Sequence, residues 1–202
     1  MSVPFERSQT KQNLMRAFAG ESQARNRYTF GASLARDKNL QVIQGIFLFT
    51  AEQEKEHAEL YYNLLRPFCG ENIQVDGSYP VSLFSDMVEC LRDAQHNEYQ
   101  EWEHDYAAFA RTAMEEGFPL VGKLFENIAG VEKLHGDRFG RYADLLEQEQ
   151  LFVSDVKEAW MCLHCGYVVD ATVAPANCPV CRHPQGYFIR AELTPFRGES
   201  IR

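Results

Sequence analysis

No stretch of this 202-residue chain is apolar for long. The longest run, around Ile46 to Phe49, falls far short of the roughly 20 residues a bilayer-spanning helix needs, so a membrane is not an expected partner. The opening segment, Met1 to Asn13, has no apolar core of the kind a secretory leader carries, and a cytoplasmic location is the expectation. Basic residues are also short, with 20 Lys and Arg against 29 Asp and Glu for a net charge of -9. That deficit argues against nucleic acid or an anionic membrane surface as the main partner, although carboxylates that bind metal count in the same sum. Cysteines outside one pattern are scarce: of six, only Cys69 and Cys90 stand apart, and both read as ordinary thiols. What remains is ordinary for a globular protein, 45% hydrophobic and 24% charged. The length allows one or two domains with a substantial core.

Four long amphipathic segments dominate. From about 9 to 36, Leu14, Phe18, Glu21, Arg25, Tyr28, Ala32 and Ala35 advance by alternating steps of four and three, one stripe of a helix. Asp37-Lys38-Asn39 reads as a turn. A second stripe over about 40 to 66 runs Ile43, Phe47, Thr50, Glu54, His57, Tyr61 and Leu64. A third, over about 82 to 116, runs Met87, Leu91, Ala94, Glu98, Glu101, Asp105 and Ala108, and Gly117-Phe118-Pro119 closes it. The fourth, over about 119 to 147, runs Val121, Phe125, Ile128, Glu132, His135, Phe139, Tyr142 and Leu146. Between the second and third, Pro67, Gly70, Gly77 and Pro80 break the period. About 14 extended residues reach ~45 Å, against ~40 Å for a helix of about 27 residues, so this connection can run the length of a bundle. The expected fold is mainly α, a ferritin-like four-helix bundle with a long crossover between helices 2 and 3.

Charged residues interrupt the apolar stripes at fixed places. Glu54-Lys55-Glu56-His57 and Glu132-Lys133-Leu134-His135 each set a Glu three residues before a His, on one helix face, where both can meet one ion. Glu21 precedes Glu54 by 33 residues and Glu98 precedes Glu132 by 34, so an antiparallel helix pair returns each upstream Glu to the level of its partner. Glu21, Glu54, His57, Glu98, Glu132 and His135 then form one layer, the pattern of a di-metal carboxylate bundle. Glu101 is an extra carboxylate, matched in the first half by Ala24, and His104 drifts off the stripe and is not expected to be a ligand. Five buried carboxylates cost several kcal/mol each if unpaired, and two divalent cations nearly balance them. Mixed carboxylate and imidazole donors suit iron or manganese. As the paired members of the repeat, Glu54 and Glu132 are expected to bridge, with Glu21 and Glu98 terminal. Tyr28 lies seven residues after Glu21 and Tyr106 eight after Glu98, placing both to offer a phenolic O–H to bound oxygen species.

From Ala159 the style changes. Cys162-Leu-His-Cys165 and Cys178-Pro-Val-Cys181 stand 12 residues apart among aromatics and short β-type runs. Four thiolates so spaced hold a tetrahedral metal, iron or zinc. Iron makes the site a one-electron carrier, and zinc a structural ribbon. The expected boundaries are 1–147 for the bundle, 148–157 for a charged linker and 158–202 for the small metal domain, with Trp160, Tyr167 and Phe188 as its core and His164 and His183 as surface or packing residues.

These stretches resemble one family, the rubrerythrins. Ala17-Phe-Ala-Gly-Glu-Ser-Gln-Ala-Arg-Asn-Arg-Tyr28 is similar to its first helix, and Thr50-Ala-Glu-Gln-Glu-Lys-Glu-His-Ala58 to its second. Glu98-Tyr-Gln-Glu101 resembles its paired-glutamate segment, Glu132-Lys-Leu-His135 its last ligand pair, and Trp160–Tyr167 with Ala174–Cys181 its rubredoxin-like end. The run Trp102-Glu-His-Asp-Tyr106 departs from the more Met-Tyr-Pro-like pattern of the family. The resemblance implies a non-haem di-iron peroxidase that reduces hydrogen peroxide to water in oxidative-stress protection. Its cofactors would be two iron ions, oxo-bridged in one form, and a third iron in the four-cysteine site, with zinc the alternative occupant there. Electrons would come from NADH through a redox protein such as a rubredoxin or a reductase, and the assembly would be a homodimer or higher. The resemblance also implies that His57 and Glu101 alternate as ligands to one iron while His135 stays fixed. The rival readings are a ferroxidase or O2-reducing enzyme, and an iron-binding ferritin-like protein with a structural zinc ribbon.

Overall fold

A computed structural model describes residues 3–194. Helix α1 spans Gln9–Asp37 and α2 spans Gln41–Leu64, joined by a turn in which Asn39 takes a left-handed backbone (φ 59°). The Ser8 side chain caps α1 by accepting the Lys11 amide. The Glu116 carboxylate adds a long-range cap, accepting the Gln9 and Thr10 amides at 2.8 Å each and the Thr10 hydroxyl at 2.6 Å. The start of α1 is thereby tied to the far end of the third rod.

The third rod is not one regular helix. Helix α3 (Met87–Gln100) passes into a π-helical turn at Glu101–Asp105 and continues as α4 (Tyr106–Glu116), which Gly117 terminates in a left-handed conformation (φ 89°). A π turn inserts one residue into the helical repeat, so the buried face after Glu98 continues through Tyr106, Ala110 and Ala113. Asp105 and Ala108, expected on the buried stripe, are exposed instead. The helix also begins at Met87, five residues later than expected, because Asp86 caps it by accepting the Val88 and Glu89 amides. The fourth rod, α5, runs Pro119–Glu147.

The rods pack as a four-helix bundle with a two-fold internal repeat. Tyr28, Phe47 and Phe139 form one aromatic triad with ring centroids 5.0–6.0 Å apart. Tyr106, Phe125 and Tyr61 form its counterpart at 5.0–5.8 Å. Each triad centres its own apolar cluster, the first with Ile43 and Leu91, the second with Leu14 and Ile128.

A three-stranded antiparallel sheet follows, in the order β2-β1-β3, from β1 (Val153–Cys162), β2 (Val168–Val173) and β3 (Phe188–Arg190). Half of the stretch expected as a linker is therefore strand, pairing Val153 with Val173. Leu151 is buried and shares the first apolar cluster of the bundle with Ile189. The small core consists of Trp160, Ala174, Phe188, Cys162 and Cys178. The expected outer limits at 1 and 202 lie outside the described residues.

Gly186 seats this small domain on the α1–α2 turn. A Cβ there would stand 1.9 Å from the Asn39 carbonyl oxygen and 2.3 Å from Gln41 Oε1. Gly186→Val forces the two surfaces apart, at a cost of about 1–3 kcal/mol by analogy with overpacked cores. The expected result is a lower thermal midpoint for the small domain with the bundle's own melting retained. An unchanged melting profile would show that the two units are not held together there.

Candidate metal centre

The stripes bring six of the seven expected bundle donors into one layer between the two apolar clusters. Glu21, Glu54, Glu98, Glu132 and His135 are each 0–1% exposed, and His57 is 8% exposed. Glu21, Glu54, His57 and Glu132 offer donor atoms that all lie within 4.8 Å of one another, and so do Glu54, Glu98, Glu132 and His135. Glu54 and Glu132 belong to both groups. His57 Nδ1 is 3.1 Å from Glu54 and 3.0 Å from Glu132, while His135 Nδ1 is 2.9 Å from Glu54 and 2.8 Å from Glu132. Both imidazole Nδ1 atoms, both oxygens of Glu54 and Glu132, and one oxygen each of Glu21 and Glu98 are buried without a hydrogen-bond partner. Orphaned lone pairs at this density fit a pair of cations.

Glu101 lies outside both groups. Half-buried at the first position of the π turn, it lines a small cavity with Arg16, Gly20, Tyr79 and Tyr106. Burial first, then the charges of Glu98, Glu132 and Glu54, push its carboxyl well above the usual carboxylate range. His104 is exposed and joins neither group.

The two tyrosines hold Glu98 and Glu21, the carboxylates that each belong to one donor group. Tyr28 donates its hydroxyl to Glu98 Oε1, and Tyr106 donates to Glu21 Oε1 at 2.5 Å, each reaching across to another helix. Each phenol thereby fixes the orientation of one carboxylate of the layer. Tyr106 stands eight residues after Glu98, against seven for Tyr28 after Glu21, because the π turn lies between them. Burial and the neighbouring carboxylates push both phenols well up, so both stay protonated.

Three participants had not been expected from the sequence as site residues. The Tyr61 hydroxyl is buried beside Tyr106 without a hydrogen-bond partner. Gln53 Oε1 lies 3.1 Å from His135 Nε2, and Arg138 donates to Gln53 Oε1 at 3.1 Å and to Thr50 Oγ1 at 2.8 Å. Arg138 and Gln53 each stand three residues after a stripe residue, His135 and Thr50, and one before the next, so the helical period singled out neither.

In the small domain all four Sγ atoms lie within 4.8 Å of one another, with Cys162 to Cys181 at 3.7 Å and Cys165 to Cys178 at 3.6 Å. Bonds of ~2.3 Å to one tetrahedral ion give sulfur–sulfur edges of about 3.8 Å, so the cage fits a metal. Burial raises the Cys178 thiol, yet the amides of Cys181 and Val180 outweigh it and hold the group at about 6, toward the thiolate a metal needs. The His164 and His183 rings stack beside the site, 3.6 Å apart. Cys69 is exposed, and burial lifts Cys90 to about 11, away from thiolate chemistry.

Without cations, protons hold the bundle site together. Burial raises Glu98 to about 8 and Glu21 well above its ordinary value. Burial lowers both imidazoles, but contact with Glu132 and Glu54 reverses this, taking His57 to about 9 and His135 to about 12. Burial also opposes ionisation of Glu132, which the two imidazoles nevertheless hold at about 2. The stability from a raised His is complete below its unfolded value of 6.5 and disappears as pH rises through its folded value. The raised Glu98 acts in the same direction between 4.5 and about 8. Metal-free protein should therefore lose thermal stability from about pH 6.5 to about 9, whereas metal-loaded protein should not. A metal-free melting temperature that is flat or rising over that window would contradict this assignment of protons.

Comparison with known proteins agrees with this architecture. The rubrerythrin family model matches residues 12–143, and the model for the rubrerythrin rubredoxin-like domain matches residues 160–189. A rubrerythrin of Porphyromonas gingivalis is 42% identical over 93% of this chain and 92% of its own length. One of Clostridium perfringens is also 42% identical, over 90% and 93%. Among solved structures, nigerythrin in a mixed-valence state superposes with a TM-score of 0.61 at 28% identity, covering 94% of this chain and 88% of that one. A bacterioferritin of Desulfovibrio desulfuricans, at 20% identity with a TM-score of 0.62 over 70% of this chain and 81% of its own, shares the bundle fold. No helix among the described residues is long and apolar enough to cross a membrane. Both domains, in this order and each with its donor cage assembled, make this chain a member of the rubrerythrin family.

Proposed function

We propose that this protein is a peroxidase that reduces hydrogen peroxide to two waters at a pair of iron ions in the bundle, with a third iron in the four-cysteine site passing electrons to them. One observation carries the reading: a cage with two shared carboxylates, Glu54 and Glu132, has an unshared carboxylate, Glu101, just outside it. A symmetric cage suffices to store metal, whereas a spare donor on one side lets the donor set change between oxidation states. When bound, a ferrous pair supplies two electrons that, with two protons, cleave the O–O bond.

The chain's own groups then have separate tasks. Glu54 and Glu132, common to both donor groups, would be shared by the two ions, Glu21 and Glu98 would each serve one, and Tyr106 and Tyr28 orient those two carboxylates. His135 would be the constant imidazole donor, with His57 and Glu101 as the alternating pair. Burial and the neighbouring carboxylates raise the Glu101 carboxyl well above the usual carboxylate range, which favours its neutral form beside the pocket. The apolar clusters on both sides keep bulk water from the layer. The electron source is a small redox protein or reductase linked to NADH, the setting is the cytoplasm, and the working form contains at least two chains. The family membership supports a redox partner and an assembly of more than one chain.

Metal stoichiometry tests the sharing of ligands. Glu54→Ala or Glu132→Ala should remove both bundle ions, and Glu21→Ala or Glu98→Ala only one, by metal analysis of protein loaded with ferrous ion. Equal losses in all four variants would defeat the bridging assignment. The reaction itself is tested by anaerobic reduction followed by rapid mixing with peroxide or with O2. Peroxide should oxidise the ferrous pair faster, and faster oxidation by O2 would favour the ferroxidase reading.

A further inference from the structure

The two-fold repeat relates α2 to α5, so each imidazole can be compared with its counterpart in an equivalent position. His57 corresponds to His135, Glu54 to Glu132, Phe47 to Phe125 and Tyr61 to Phe139. Both rings turn Nδ1 toward the carboxylates. They differ at the other nitrogen. His135 Nε2 lies 3.1 Å from Gln53 Oε1, and the same oxygen accepts from Arg138 Nη1 at 3.1 Å. A guanidinium only donates, so the Gln53 atom between Arg138 and His135 is the carbonyl oxygen, and His135 must present its proton on Nε2. The amide is fixed in turn. Arg138 also donates to Thr50 Oγ1 at 2.8 Å, Thr50 is fully buried, and the guanidinium lies over the Phe49 ring at 5.1 Å.

Around His57 the repeat replaces every member of this network with an apolar residue. Gln53 corresponds to Val131, Arg138 to Leu60 and Thr50 to Ile128. None of these side chains can accept a proton from His57 Nε2. The ring is also the more exposed of the two, its side chain 10% accessible against 1% for His135.

We propose that Gln53, Arg138 and Thr50 form a positioning lock that keeps His135 as the permanent imidazole of the bundle site, and that the absence of such a lock leaves His57 as the ring free to leave. The proposal rests on the di-metal reading and adds what that reading lacks, a physical reason why one histidine moves and the other does not. An imidazole whose outer N–H is held has its tautomer and ring orientation fixed and is a stronger donor at its inner nitrogen. Rotating His135 out would break its bond to Gln53 and leave that half-buried amide oxygen with Arg138 as its remaining donor. Rotating His57 out breaks no equivalent bond.

The test uses full-length protein loaded with ferrous ion under anaerobic conditions. Proton NMR of such a site shows hyperfine-shifted, exchangeable N–H signals from coordinated imidazoles. Wild type should give one such signal that exchanges slowly with deuterium, from His135, and one that exchanges fast, from His57. Gln53→Met, which keeps the length but removes the acceptor, should speed the slow signal by about tenfold or more and weaken one of the two ions by about 10–100-fold. Arg138→Leu, which copies the His57 side, should act in the same direction but less, and Gln53→Glu, which restores an acceptor, should return slow exchange. Thermal melting of each metal-free variant establishes that it is folded, and the Arg138 variant serves if Gln53→Met is not. A slow signal that survives both Gln53→Met and Arg138→Leu would overturn the lock while leaving the di-metal reading intact. Wild-type protein that binds no pair of ions in the bundle would show no shifted imidazole signals and would overturn both.

Discussion

Everything in this bundle is arranged around the burial of carboxylates. Glu21, Glu54, Glu98 and Glu132 are nearly inaccessible to solvent, with apolar clusters on either side of their layer. Ionised carboxylates in such a place destabilise the fold unless opposite charge stands among them. The two imidazoles supply part of it, protons on Glu21 and Glu98 remove more of the demand, and cations can replace both. Other features follow from the need to keep this layer level. The Glu116 cap ties the start of α1 to the end of α4, and the phenols of Tyr28 and Tyr106 hold the Glu98 and Glu21 carboxylates in register.

The site is a repeat broken in two places, and both breaks bear on chemistry. The π turn adds one residue between Glu98 and Tyr106, which accounts together for the 33 against 34 residue spacing of the glutamates and for the seven against eight spacing of the tyrosines. It also places Glu101 at the edge of the cage, where the first half has the buried Ala24. The second break is the polar network on His135 set against apolar residues around His57. One break provides a spare donor and the other distinguishes the two imidazoles. Together they leave a nearly symmetric cage with two unlike halves.

The two domains meet at backbone distance. Gly186 lies against Asn39, and Arg138, which anchors the His135 network, lines a cleft shared with Leu163, the residue after Cys162. The wall of the bundle that holds its histidine is thus also a wall facing the four-cysteine domain.

Much of this was legible before any fold was known, because helical period and metal-ligand spacing are local rules. The stripes placed Glu54, His57, Glu132 and His135 inside the bundle, the 33 and 34 spacings selected Glu21 and Glu98, and the cysteine pairs marked the second cage. The same rules failed where a local event shifted the frame. Extrapolating an unbroken α-helix put Asp105 and Ala108 on the buried face, because a π turn has no dependable residue signature. Expected as a linker, residues 148–157 are half strand, since the start of β1 pairs with Val173, 20 residues away. By itself, then, the sequence determined which residues share a face, how far apart the donors recur and what charge the interior must balance. Only the tertiary structure decided what each donor touches. Tyr28 reaches Glu98, Tyr106 reaches Glu21 and Gln53 reaches His135, and all three contacts cross between helices whose relative height and rotation come from packing and not from spacing along one chain.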